Sequence, residues 1–245
     1  MRNATVIFGA TGGIGRQVCL ELAQKGTPLA LVARREERLR NLAAELETET
    51  SVHVADVTHA NAVAGVFDAV TAAHGGFDRV LHAVGSILLK PAHRTSDDEW
   101  AQTLTLNLTS AFYVLREAVG RLRRTGGGNL VFCSTAAARG GVANHDAIAA
   151  AKMGLEGMVR SSAASYASKG IRINAVAPGL VDTPLAQNIT RREASLKASQ
   201  AMHALGRIGQ PEDVAPLIVF LLEQTWMTGE TVVIDGGLSG IKSAR

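Results

Sequence analysis

The stretch Thr5-Val6-Ile7-Phe8-Gly9-Ala10-Thr11-Gly12-Gly13-Ile14-Gly15 decides the fold. Four residues suited to a buried strand run into a glycine-rich turn, and the turn opens a helical pattern from Ile14 to Lys25. A turn of this kind lets backbone N–H groups approach a pyrophosphate at the start of a helix. Gly9, Thr11, Gly13, Ile14 and Gly15 are therefore candidate contacts to a dinucleotide.

Outward from this turn the chain alternates short apolar runs with longer helical ones. Strands are expected at Thr5–Phe8, Leu29–Val32, Val52–Ala55, Arg79–Ala83, Asn129–Cys133, Arg172–Val176 and Thr231–Ile234. Helices are expected at about Ile14–Lys25, Glu36–Glu47, Asn61–Ala73, Asp97–Arg123, His145–Ser168 and Pro211–Glu223. Strands joined by helix-length crossovers imply right-handed βαβ units and a parallel sheet with helices on both faces. The expected architecture is α/β: a Rossmann-type, doubly wound, seven-stranded parallel sheet forming one domain over residues 1–245. No repeat or low-complexity linker interrupts the pattern. The least regular region, about 180–205, follows the carboxyl end of a strand, where ligands bind in such sheets, so it is the candidate substrate lid.

The composition agrees with a packed domain: 47% of residues are hydrophobic and 19% charged. Aromatics make up only 4%, so the core must be built from Ala, Val, Leu and Ile. A net charge of +3, with arginines in short clusters lacking interleaved aromatics, argues against a nucleic-acid partner. No apolar run reaches the length of a membrane span, and strand-like residues begin at Ala4 with no signal peptide before them, so a cytoplasmic protein is expected. Cys19 and Cys133 fall in a helix and a strand and read as buried free thiols; no metal is implied.

The end of the second strand bears on the cofactor. A carboxylate there accepts from the ribose 2′-OH of NAD, whereas a 2′-phosphate needs a cation. This chain has Ala33-Arg34-Arg35, and Glu36 and Glu37 come too late, in the first turn of a helix. Arg34, with Arg35 as a second contact, points to NADP(H).

Several segments in order resemble the short-chain dehydrogenase/reductase family, from about Thr5 to Gly237, and are most similar to its 3-oxoacyl-thioester reductases. The spacing Gly9-x-x-x-Gly13-x-Gly15 is the family's form of the glycine turn. Asp56-Val57 resembles its adenine-contacting pair. His82-Ala83-Val84-Gly85 stands where the family has Asn-Asn-Ala-Gly, keeping only the glycine; Ala83 and Gly85 are carried over as cofactor contacts, and His82 reads as a buried strand residue. Pro178-Gly179-Leu180-Val181-Asp182-Thr183 matches the segment that cradles the nicotinamide amide, which assigns Pro178, Gly179, Val181 and Thr183 to the cofactor. The resemblance also implies a tetramer built through the fourth and fifth helices. The fifth offers Ala149, Ala150, Ala151, Gly154, Gly157 and Ser161 for close packing. A heteromer with a related reductase is the other assembly open to it.

Ser134 to Lys152 looks like the family's active-site segment. There the family carries a tyrosine four residues before its lysine and a serine thirteen residues before the tyrosine. Here Lys152 is kept, Thr135 stands at the serine position and Ile148 at the tyrosine position. The resemblance gives Lys152 the ribose-binding and electrostatic role, Asn107 the role of holding a relay water, and Thr135 the hydrogen bond to the carbonyl. Strand alternation sends the neighbouring Ser134 the other way. Ile148 has no proton to give. His145 lies seven residues before Lys152, the separation that the related enoyl-thioester reductases have between tyrosine and lysine, and an imidazole donates near neutral pH. Three readings stay open: an NADPH reductase of a small or carrier-bound acyl carbonyl compound with His145 as relocated acid, a cofactor-binding subunit with little chemistry of its own, and a reaction that needs no tyrosine. Arg191, Arg192 and Lys197 in the lid suit either an acidic carrier or water. His93, Arg94 and His203 are expected at the surface.

Overall fold

A computed structural model describes residues 3–241. Seven strands form one parallel sheet: β1 (Ala4–Phe8), β2 (Leu29–Ala33), β3 (Thr50–Val54), β4 (Phe77–His82), β5 (Gly128–Cys133), β6 (Ile171–Pro178) and β7 (Thr231–Ile234), in the order β3-β2-β1-β4-β5-β6-β7. Every pairing is parallel. The order reverses between β1 and β4, which opens a crevice at the carboxyl ends of those strands. All five residues of β1 are buried, as expected of a central parallel strand covered on both sides.

Helices α1 (Gly13–Gln24), α2 (Glu36–Glu45) and α10 (Pro211–Glu223) bury Val18, Leu22, Leu39, Ile218 and Leu222 in one core with Ile7, Leu31 and Val131. On the opposite face α3 (Ala60–His74), α5 (Ser110–Thr125) and α7 (Asp146–Tyr166) bury Phe67, Val114, Leu122, Leu155 and Val159 with Phe8, Val80 and Phe132. Two cores of mostly aliphatic side chains flank one sheet, so three aromatic residues, Phe8, Phe67 and Phe132, are the largest fully buried side chains. No helix among the described residues is long and apolar enough to cross a membrane.

The expected elements are present, with ends displaced by at most two residues. The helix expected over Asp97–Arg123 is not continuous. It divides into α4 (Asp97–Leu104), a π-helical turn (Thr105–Thr109) and α5. A capping box starts α4: Ser96 Oγ accepts from the Glu99 amide, and Glu99 accepts from the Ser96 amide. The region 180–205 carries two short helices, α8 (Gln187–Thr190) and α9 (Glu193–Met202), neither with a buried residue. Helix α6 (Ala136–Gly140) is a single strap between β5 and α7.

Candidate active site

A cleft of about 330 Å³ opens at the carboxyl ends of β1, β4, β5 and β6. Eleven of the residues singled out by sequence line it together: Ile14, Ala83, Gly85, Asn107, Thr135, His145, Lys152, Pro178, Gly179, Val181 and Thr183. The rest of the glycine turn adjoins the cleft by contact. Gly9 has φ +85, and a Cβ on it would stand 2.7 Å from the Ala83 carbonyl oxygen. A Cβ on Gly13 would stand 2.5 Å from Thr183 Cγ2, and one on Gly15 2.2 Å from the Gly9 oxygen. The turn is thus as much a packing device as an open cradle. Gly12 caps α1 without a side-chain hydrogen bond, which leaves the first amides of the helix free of a capping group.

The end of β2 presents two exposed arginines and no carboxylate. Arg35 is the N-cap residue of α2 and gives it no side-chain hydrogen bond. Among the described residues Arg34 has no ion pair; it only lowers the pKa of the nearby Asp56 carboxyl, after the larger effect of the Thr58 hydroxyl and amide, which bond Asp56 Oδ1 at 2.7 and 2.9 Å. Val57, beside Asp56, is buried.

Asn107 sits inside the π turn, fully buried. A π turn inserts one residue and frees carbonyls from the regular ladder. Here Ser110 donates its amide to the Thr105 carbonyl, and its hydroxyl to that of Leu106 at 2.7 Å. Asn107 Nδ2 takes the Thr103 carbonyl at 3.0 Å and also donates to Ser86 Oγ at 2.9 Å, while its Oδ1 accepts from the Ser86 amide at 3.0 Å. The side chain is therefore clamped to the loop after β4. Gly85 must be small there: a Cβ on it would lie 2.8 Å from Asn107 Oδ1 and 3.4 Å from Lys152 Nζ. His82, buried as expected, donates from Nε2 to Ser110 Oγ at 3.0 Å, a role fixed because that hydroxyl spends its hydrogen on Leu106. Burial, and then the Lys152 charge, hold its pKa down at about 3, so the ring is neutral.

Lys152 is buried on α7 and donates to the Cys133 carbonyl at 2.7 Å. Burial lowers its pKa to about 8. Thr135 ends the strand segment; its Oγ1 accepts from the Ala137 amide at 3.3 Å, which leaves its hydrogen to donate. Ser134 lines the cleft as well as Thr135, rather than lying away from it, but its hydroxyl is spent on Glu156 Oε1 at 2.7 Å. Ile148 is 4% exposed and forms part of the cleft wall. His145 is the N-cap residue of α7. Its Nδ1 bonds the Ala143 carbonyl at 2.8 Å, and since a carbonyl only accepts, Nδ1 carries the hydrogen, while Nε2 has no partner among the described residues. The chain's two tyrosines, Tyr113 and Tyr166, lie outside the cleft wall.

Two further expectations are corrected. His203 is not at the surface: it is 2% exposed, with Nδ1–H donating to the Ser199 carbonyl at 2.7 Å and Nε2 accepting from the Leu180 amide at 3.2 Å. It pins the end of α9 to the loop after β6, a contact between segments far apart in sequence. Cys133 is not fully covered but lines the cleft, with its thiol pushed up to about 11 by burial. Sequence reading also missed most of the apolar wall, made by Ile87, Leu89, Val142, Leu185, Met202 and Leu238. These come from loops and from α9, where no periodicity marks a buried face.

Residues 9–239 match the family described as Enoyl-(Acyl carrier protein) reductase. Carbonyl reductase family member 4 of Danio rerio is 32% identical over 243 residues, covering 97% of this chain and 98% of that protein. The 3-oxoacyl-[acyl-carrier-protein] reductase of Thermotoga maritima is 30% identical over 238 residues, covering 95% and 96%. Among solved structures, a variant of actinorhodin polyketide ketoreductase with NADPH superposes with a TM-score of 0.93 at 26% identity, and levodione reductase with 0.92 at 29%, each covering 98% of both chains.

Proposed function

The chain belongs to the short-chain dehydrogenase/reductase family, and from that premise we propose that it is an NADPH-dependent reductase of neutral carbonyl compounds in which His145 replaces the family's tyrosine as proton donor. The residues fit that cofactor. The glycine turn and the uncapped start of α1 suit a pyrophosphate, and Arg34, exposed and without an ion pair among the described residues, suits a 2′-phosphate. Asp56 and Val57 would meet the adenine, Lys152 the ribose hydroxyls, and Pro178, Gly179, Val181 and Thr183 the carboxamide. Bound there, the reduced nicotinamide supplies a hydride to the carbonyl carbon of the substrate.

The other half of the reaction is the protein's. Thr135 has a hydroxyl hydrogen free to hold the carbonyl oxygen. The developing alkoxide takes a proton from the imidazolium of His145, so hydride and proton together convert C=O to CH–OH. Lys152, charged below pH about 8, stabilises the negative charge. Asn107, locked by Ser86 and Thr103, keeps a polar position at the back of the cleft for a water that reprotonates the site. The apolar wall of Ile87, Leu89, Val142, Ile148, Leu185 and Met202 suits an uncharged ketone or the acyl part of a thioester. The segment 180–205, hinged at the buried His203, acts as the lid.

A single observation carries this reading. His145 is the cleft-lining imidazole with a nitrogen left over, because both nitrogens of His203 are engaged and Ile148 offers no proton. Exposed Phe112 and Met153, with small Ala149 and Gly157, support assembly through α5 and α7. The test is NADPH consumption with cyclic ketones and 3-oxoacyl thioesters. His145→Phe is expected to lose about 10²–10⁴-fold in kcat, and Ile148→Tyr in the same background to restore part of it. Full activity in His145→Phe alone would refute the assignment.

A further inference from the structure

Beside the cleft lies a buried charge that the reaction above does not use. Glu156 is on α7, four residues after Lys152 and so on the same face of the helix, and its side chain has no exposed surface. A buried carboxylate is costly unless paired and hydrogen-bonded. Each side-chain contact of Glu156 reaches the segment that holds Thr135. Oε1 accepts from Ser134 Oγ at 2.7 Å. Oε2 accepts from Arg139 Nε at 2.9 Å and Nη2 at 2.6 Å. Ser134 immediately precedes Thr135, and Arg139 lies in α6, which Thr135 caps. One turn earlier on α7, Lys152 holds the carbonyl of Cys133 at 2.7 Å. Helix α7 therefore grips the turn at three points, with Thr135 between the second and the third. An apolar side chain at 156 would complete the buried face of α7 without any desolvation cost, and such replacements are often neutral or stabilising. Stability alone gives no reason for a carboxylate here.

We propose that Glu156 is a positioning residue: through Ser134 and Arg139 it fixes the β5–α6 turn, so that the Thr135 hydroxyl is held in register with Lys152 and His145 across the cleft. The kinetic consequence rests on the reductase reading given above; the structural one does not. Glu156→Gln keeps the volume and the bond to Ser134 but loses the charge that holds Arg139, whose side chain is 34% exposed and can swing to water. Its kcat for carbonyl reduction should fall about 10–100-fold, the effect of a small misplacement at a reacting centre. The Kd for NADPH should stay within about twofold. Amide exchange over residues 134–142 should become faster than in the unmodified protein. Ser134→Ala, which unpairs no charge, should give the same changes more weakly and serves if Glu156→Gln does not fold. Unchanged kcat in both folded variants would overturn the proposal, as would a loss of NADPH binding as large as the loss of kcat. If the unmodified protein reduces no carbonyl compound, the reductase reading fails and the exchange measurement decides: unchanged protection of residues 134–142 in Glu156→Gln sinks the positioning role.

Discussion

The two halves of the cleft are built from different materials. On the side of β1 and β2 the backbone does the work: a left-handed Gly9, a close contact at Gly15 and the free amides that open α1. On the side of β5 and α7 side chains do it: Thr135, His145, Ile148, Lys152 and, behind them, Glu156. A backbone cradle tolerates almost no change at its few glycines, because no rotamer relieves a clash with a carbonyl. A side-chain constellation can lose one member and recruit another from one turn away on a helix. Under the proposed function, this contrast would account for a complete glycine turn beside a cleft wall that carries Ile148.

Three changes probe that contrast. The largest effect is expected on the backbone side. Gly15→Ala puts a Cβ 2.2 Å from the Gly9 oxygen and should destabilise the protein by about 3 kcal/mol or more. Urea unfolding measures it, and a loss under about 1 kcal/mol would mean that the cradle yields. Next comes Arg34→Ala, which removes a side chain from the same half without touching its backbone. Discrimination between NADPH and NADH should fall about 10–100-fold, the worth of a charge-assisted hydrogen bond, while the melting temperature stays put. Equal preference in both proteins would remove Arg34 from the cofactor assignment.

The smallest effect is a pH dependence confined to the other half. Lys152 has its pKa lowered to about 8 from 10.5, chiefly by burial. Between those values the unfolded chain holds a proton that the folded chain has released, so stability of the cofactor-free protein should rise from pH 8 to 10.5. Over the same window the cleft loses its cation, and kcat should fall. Opposite slopes for stability and rate, seen by thermal melts and by turnover across that range, would identify the buried lysine; parallel slopes would not fit it.

The backbone half was legible in the sequence because spacing alone encodes it. Strand, glycine turn and helix follow one another within a dozen residues, and Arg34 and Arg35 follow directly on the second strand. The side-chain half depends on where distant segments meet. Thr135, His145 and Lys152 are close in sequence and were found, whereas Glu156 gains its meaning only from Arg139, and His203 only from Leu180. The π turn left a faint trace. Thr103, Asn107 and Ser110 are polar residues on what should be a buried stripe, and each turns out to hydrogen-bond a main-chain carbonyl near the turn. Helices α8 and α9 left almost none, since neither has a buried residue to create a period.

The π turn also changes what counts as a mutation in this protein. Because it holds one residue more than a regular turn, its natural opponent is a deletion. Removing a single residue between Thr105 and Thr109 would let α4 run into α5 as one uniform helix, with better local geometry than before. Because the π turn absorbs the extra residue, the two flanking helices would keep the faces they present now. Only the turn would change: α5 would keep its buried stripe, and Asn107 would lose its place beside Gly85. Length, and not only residue identity, is thus a heritable setting of this cleft.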